Sequence, residues 1–209
     1  MIIKAKHHFV IHLIFKLFSR VMINSHFSWV EVLGHVDVTN SRSILLISNH
    51  SSWWDGFWQL YLNMKVFKKK FHFMMLEEQL SKHWYFNYTG GFSVRKSARS
   101  AVETIQYSAE LLSHPNNLVL MFPQGKVESI HKHSFTFEKG VEKILERTNR
   151  GDVQIVFLVI SIDDFINRKS VLHHYITEYK GESIDYSELE KSYNAFFAKC
   201  IKQQIDKKV

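Results

Sequence analysis

Apolar and polar positions repeat with two different periods along this chain, and each change of period marks an element. Over residues 4–22, Lys4, His8, His12, Lys16 and Arg20 recur every fourth place, and Phe9, Val10, Leu13, Ile14, Leu17, Phe18 and Val21 fill the rest. That spacing predicts an amphipathic helix with one broad polar face. Strands are expected at residues 30–38 and 43–48, the second being a compact apolar run. A helix should start near Ser51 or Ser52 and continue to Met64. Beyond it the pattern predicts a strand over 71–76, a helix over 77–86 and a short strand over 92–94.

Residues 98–113 return to helical spacing, with Val102, Ile105, Ala109 and Leu112 on one side. Residues 118–122 form a short apolar run of the kind found in strands buried on both faces. A helix over 137–150, strands over 153–160 and 171–179, and a terminal helix from Asp185 to about Lys207 complete the series. Strands alternating with helices imply an α/β fold: a single domain with a largely parallel central sheet flanked by helices, preceded by the amphipathic helix.

The 209 residues suffice for one domain with a substantial core, and neither an internal repeat nor a Pro/Gly/Ser linker divides them. The reading therefore separates a helical segment, residues 1–30, from one domain over residues 31–209. Within the first segment His12, Lys16 and Arg20 interrupt the apolar run, which is not the form of a signal peptide. Nor does any window supply the roughly 20 apolar residues of a bilayer-spanning helix.

Charge narrows the partners without choosing one. A formal net charge of +7 points to something anionic: nucleic acid, anionic lipid or a phosphorylated cosubstrate. No helix-turn-helix, zinc or RNP signature favours nucleic acid. The single Cys200 excludes an internal disulfide. His131-Lys132-His133 has no obvious third or fourth metal ligand, and no metal is expected. His7-His8, His173-His174 and Cys200 read as packing or surface residues, and Lys68-Lys69-Lys70 as a solvated basic turn. Trp29, Trp53, Trp54 and Trp58 fit either a lipid groove or the core.

Chemistry concentrates in Asn49-His50-Ser51-Ser52-Trp53-Trp54-Asp55, an H-x-x-x-x-D spacing directly after an apolar strand. Five residues of regular helix would rotate the two side chains apart by about 500°, so they meet only if His50 lies in the loop and Asp55 in the first helical turn. Ser51 and Ser52 are good N-cap residues and supply that break. An Asp accepting from one ring nitrogen leaves the other as a base. The same spacing also suits an acidic residue placed for the helix dipole beside a surface histidine.

This block resembles N-H-x-S-x-x-D, the first block of the glycerolipid and lysophospholipid acyltransferases, the PlsC-like superfamily. In that family the His is the general base and the Asp orients it. Gly90-Gly91-Phe92-Ser93-Val94-Arg95 is similar to the second block, G-x-x-[FI]-[IV]-x-R, whose Arg contributes to binding the acceptor phosphate; Lys96 and Arg99 lie nearby. Phe122-Pro123-Gln124-Gly125 resembles the start of the third block, F-P-E-G-T-R-S, but with Gln124 for Glu and Lys126-Val127-Glu128 for Thr-Arg-Ser. Phe137-Glu138-Lys139-Gly140 resembles the helix start after that block, and residues 155–159 match the fourth only as an apolar strand.

The resemblance spans about residues 40–165 and makes 31–209 an acyltransferase domain. It implies His50 and Asp55 as catalytic residues, and Arg95, Gly91, Gln124, Gly125 and Lys126 as substrate-binding. No cofactor is implied beyond a cosubstrate, acyl-CoA or acyl carrier protein (ACP) charged as acyl-ACP. The expected partners are that thioester donor, a lipid acceptor and a membrane surface met through the N-terminal helix at the cytoplasmic face. The altered third block also leaves open a catalytically weak lipid-binding relative.

Overall fold

The structure, a computed structural model, describes residues 2–95, 97–164 and 168–207. Seven strands form one sheet: β1 (Phe27–Leu33), β2 (Ser43–Ser48), β3 (Lys70–Leu76), β4 (Gly91–Val94), β5 (Asn117–Met121), β6 (Val153–Asp163) and β7 (Ser170–Glu178). Their order is β1-β7-β6-β2-β5-β3-β4, and every neighbouring pair is parallel except β6 with β7. β2, every residue of which is buried, pairs with β6 on one side and β5 on the other. The chain leaves β2 towards β3 and β4, returns to β5, then crosses β2 to reach β6. The carboxyl ends of β2 and β5 thus lie where the winding reverses, the usual crevice of an open α/β sheet.

Two cores cover the sheet. Leu45 and Ile47 of β2 face the one built with α4 (Ala98–Leu112), α5 (Gly140–Leu145) and α6 (Tyr186–Ile205). Ile44 and Leu46 face the other, built with α1 (Phe9–His26), α2 (Asp55–Leu62) and α3 (Glu77–Lys82). The period-2 alternation of a strand sends neighbouring apolar residues into opposite cores. Side chains cap the helices that start cleanly: Ser97 accepts from the Ser100 amide before α4, and Asp185 from the Ser187 and Glu188 amides before α6.

The expected single α/β domain is observed, with differences at the margins. Helix α1 starts at Phe9 rather than residue 4, because residues 2–8 run along the segment 87–93, meeting β4, the last strand of the sheet, at Ser93 and the turn before it at Asn87, Tyr88 and Thr89. The Ile3 carbonyl accepts from the Ser93 amide at 2.9 Å, Lys6 N–H donates to the Asn87 carbonyl, and Ile2 is buried. An uncovered edge strand leaves a row of unpaired backbone groups, and this arm satisfies part of it. Strand β1 begins at Phe27, so a boundary at residue 30 falls inside it. The helix from α2 ends in a π-helical turn, Asn63–Phe67, closed by Lys68 at φ 55.

Helix α1 turns an apolar face outward. Phe9, Leu13, Leu17 and Val21 are exposed, Phe9 by 81%, while the polar Ser19 is fully buried. Lys69, read from sequence as part of a solvated turn, is a structural staple instead. Its ammonium donates to the carbonyls of Thr39 and Arg42 at 2.8 Å and of Pro115 at 2.7 Å. Partial burial lowers its pKa. Among the described residues no helix is long and apolar enough to cross a membrane.

Candidate active site

Strand β2 delivers Asn49 and His50 to the reversal point, and hydrogen bonds hold them there. The Asn49 amide bridges to the backbone of Ile160 at the end of β6, donating to its carbonyl at 3.2 Å and accepting from its N–H at 2.9 Å. His50 follows in the loop, and Asp55 opens α2. One oxygen of Asp55, Oδ2, accepts from His50 Nδ1 at 3.0 Å and from the amides of Ser51 and Ser52 at 2.7 and 2.8 Å. The carboxylate thus draws the preceding loop around itself and fixes the imidazole by the same atom. Asp55 is fully buried. A charge removed from water needs such donors to be tolerated.

The imidazole is held on a second side. Its ring stacks on Phe122, 3.9 Å between centroids and 14° from parallel, and the His50 carbonyl accepts from the Glu128 amide at 2.8 Å. The segment after β5 therefore braces the residue that follows β2. With Nδ1 donating to Asp55, Nε2 carries the lone pair.

His50 lines a cavity of about 1010 Å³. Its interior is apolar (Phe71, Phe73, Ile105, Leu120 and Ile144), and Arg95, Lys126, Glu138, Lys139 and Lys143 add charge to its walls. An aromatic cleft of about 530 Å³ adjoins it, sharing Phe15, Trp53, Phe57, Gln79 and Phe86, so that α1 supplies part of both walls. A largely apolar cavity of this size with a few convergent polar groups is the form expected of a small-molecule or cosubstrate site.

The residues expected at the site divide into those that reach the cavity and those that do not. His50, Arg95, Gly125 and Lys126 line it. Asp55 does not line it and touches it only through its hydrogen bond to His50. Gly91 lies within β4, where an added Cβ would stand 2.8 Å from the Phe86 carbonyl oxygen, so its smallness serves packing rather than ligand access. Gln124 is buried behind the turn, and neither atom of its amide finds a partner among the described residues. Gly125 turns the chain at φ +67, a conformation that suits glycine. Its N–H closes the turn on the Phe122 carbonyl and is not free for a ligand. Lys96 lies outside the described residues.

Arg95 does not stand alone. Its guanidinium bonds to Glu77, whose other oxygen accepts from the Ser93 hydroxyl at 3.2 Å. The Arg95 hydrogen bond holds the Glu77 carboxyl below its usual range, against the opposing effect of desolvation. The Ser93 hydroxyl in turn accepts from the Ile3 amide at 2.8 Å, which ties the N-terminal arm to this pair.

Sequence reasoning missed Glu77, Glu138 and the ring platform of Phe122. Nothing in the spacing announces Glu77, whereas Glu138 and Phe122 lay in plain view, in the helix start after the third block and in the block itself. Of the tryptophans, Trp53 lines both spaces, Trp54 the aromatic cleft alone, Trp58 is core and Trp29 is half exposed on β1. His131, Lys132 and His133 are exposed. Among the described residues no three His, Cys, Asp or Glu side chains are grouped to hold a metal ion. Cys200 is buried, which pushes its thiol up to about 12 and removes it as a nucleophile.

Fold and site together define a class. The Acyltransferase family matches residues 29–161, well over half of the chain, and the chain belongs to that family. Among solved structures it resembles the crystal structure of the 1-acyl-sn-glycerophosphate (LPA) acyltransferase, PlsC, from Thermotoga maritima. The TM-score is 0.60 and the identity 21%, over 94% of this chain and 81% of that one, a likeness of fold. A search of curated proteins finds no match.

Proposed function

We propose that this chain moves a fatty acyl group from a thioester, acyl-CoA or acyl-ACP, to a hydroxyl of a lysophospholipid-like acceptor, with His50 as general base. One observation carries the reading: Asp55 engages Nδ1 of an imidazole whose ring lines the large apolar cavity. The acceptor O–H gives its proton to Nε2 as the oxygen attacks the thioester carbonyl. The tetrahedral intermediate then expels the thiolate, which takes the proton back from the imidazolium. Asp55 fixes the tautomer and stabilises the imidazolium between the two steps. The acyl chain occupies the apolar interior, and Arg95 and Lys126 meet phosphate of donor or acceptor. Gly91 and Gln124 support the second and third blocks from behind.

The outward apolar face of α1 supports a membrane-surface location, and the cytoplasmic face is part of the proposal. An apolar helical face turned to solvent, beside the exposed Trp53 and Trp84, is the pattern of a helix lying in a bilayer interface. The cavity then opens where lipid acceptors reside.

The test is thioester consumption with a lysolipid extract, comparing wild type with His50→Ala. The variant should lose at least about a hundredfold in turnover while its circular dichroism is unchanged. Wild-type liposome binding without any thioester consumption would instead favour a non-catalytic lipid binder.

A further inference from the structure

We propose that residues 126–133, the segment that follows the third-block turn, make a second contact with an anionic lipid surface. The inference rests on the membrane-surface reading of α1. It adds a separate element that fixes which edge of the sheet meets the bilayer.

Exposed large apolar side chains are spread unevenly over the parallel strands β2, β3, β5 and β6. At or just beyond their carboxyl ends, Trp53, Trp54, Leu76, Val127, Ile130 and Ile162 face solvent. The segments that lead into the same strands, residues 34–42, 68–69, 113–116 and 146–152, carry none among the described residues. Single exposed apolar residues scattered over a surface are ordinary, whereas a one-sided set marks a face that meets something.

Residues 126–133 are built to present their part of that set. The Glu128 amide donates to the His50 carbonyl at 2.8 Å, which ties the segment to the candidate base. Beyond residue 133, the Phe135 amide and carbonyl both bond the Asn194 side chain, and Phe135 itself is buried. Between these anchors the Lys132 N–H closes a turn on the Ser129 carbonyl at 3.1 Å, and Ile130 stands at its tip, 65% exposed. A fixed backbone therefore holds an apolar side chain out in water.

The flanking charges name the partner. Lys126 and Lys132 lie 3.5 and 3.7 Å from Glu128, yet their side chains are 71% and 53% exposed and that of Glu128 only 11%. The ammonium groups point outward and the carboxylate inward. His131 and His133 are exposed beside them. An apolar tip between outward cations fits an anionic bilayer interface, where the tip enters the acyl boundary and the cations stay among the headgroups. Lys126 and Val127 line the same cavity as Phe15 of α1, so the segment and the helix border one opening. Helix α1, with its longer apolar face, supplies most of the affinity, and the segment sets the orientation.

The experiment attaches an environment-sensitive dye to the full chain at Ile130→Cys, Leu13→Cys or His35→Cys, the last on an amino-edge connection. The native Cys200 is buried, so each variant offers a single accessible thiol. Vesicles are of phosphatidylcholine alone or mixed with phosphatidylglycerol. On the mixed vesicles the dyes at 130 and 13 should shift to the blue and be quenched by brominated lipid, and the dye at 35 should do neither. Without dye, Ile130→Ser should weaken binding to the mixed vesicles by about tenfold. Lys132→Gln should weaken it by about fivefold, with circular dichroism unchanged in both. A shift at 13 without one at 130 overturns the inference and leaves α1 as the membrane contact. No shift at either site overturns the membrane reading as well. A shift at 35, or one at 130 that is equal on neutral vesicles, overturns the assigned edge or the anionic partner. A shift at 130 that needs no vesicles and grows with protein concentration shows a second copy of the chain there instead, and also overturns it.

Discussion

The two ends of the parallel strands hold polar groups for opposite purposes. At the amino-terminal end, Lys69 precedes β3 and reaches the carbonyls of Thr39 and Arg42 before β2 and of Pro115 before β5. Three donors meet three acceptors, and nothing is left to engage a ligand. At the carboxyl-terminal end, Asp55 gathers His50, Ser51 and Ser52 on one oxygen, yet the imidazole it holds retains its second nitrogen beside a cavity. The same sheet uses a saturated polar cluster for cohesion and an unsaturated one where the proposed chemistry falls. Open α/β folds place ligands at the carboxyl ends of their strands, and the contrast here shows why in terms of individual bonds.

Substitutions should separate the two ends cleanly. The largest effect belongs to Asp55→Asn, which should cut acyl transfer by about a hundredfold through loss of the imidazole's orienting charge, measured as thioester consumption at equal folded protein. Equal turnover would mean that the carboxylate serves only the loop. Lys69→Met should act the other way: unfolding free energy should fall by about 2 kcal/mol, since hydrogen bonds to a charged group are lost, while turnover per folded molecule stays as in wild type. Chemical denaturation and a rate assay on the same sample check both halves. Replacing Leu13 and Leu17 together by Glu should abolish sedimentation with anionic liposomes, each exposed Leu otherwise gaining about 1.5–3 kcal/mol on burial in lipid.

The smallest expected effect lies in mid-sheet. His174 is fully buried with neither ring nitrogen bonded among the described residues, and desolvation pulls its pKa down to about 3. His7 and His72, paired at 3.1 Å between the N-terminal arm and β3, are lowered to about 3 and about 4, with burial again the leading cause. In the unfolded chain these rings take a proton near 6.5, the ordinary value for a free imidazole. Between that pH and the folded values the unfolded state binds more protons, so stability falls as pH falls through this window. His174→Leu should raise stability by about 1 kcal/mol at pH 8 by removing an unsatisfied polar ring, with a growing advantage as pH drops from 6.5 towards 4. Thermal melts at pH 8 and pH 5 check it, and an advantage that shrinks on acidification would contradict the sign.

The carboxyl-terminal end was far more legible from sequence than the opposite one. Residues 44–47 and 118–121 are apolar on both faces, which marks central strands, and the residues proposed for the chemistry follow each of them. The five-residue spacing of His50 and Asp55 even dictated which belongs to the loop and which to the helix. Lys69 was opaque because a run of three lysines looks the same whether solvated or buried. Its meaning depends on carbonyls about 30 and 46 residues away in the chain. The Arg95–Glu77 pair was hidden for the same reason, since β3 and β4 become neighbours only in the sheet. Helix α1 was found by its period, but periodicity cannot tell which face turns inward. Its first residues were misassigned because an arm along an edge strand carries no local signature.

The central claim is that His50 and Asp55 act as one unit on an acceptor hydroxyl. The most direct measurement compares acyl transfer by His50→Ala, Asp55→Asn and the double variant against wild type. Groups that work through each other are not additive, so the double variant should be no slower than His50→Ala alone. Losses that multiply, or wild-type rates in His50→Ala, would contradict the account.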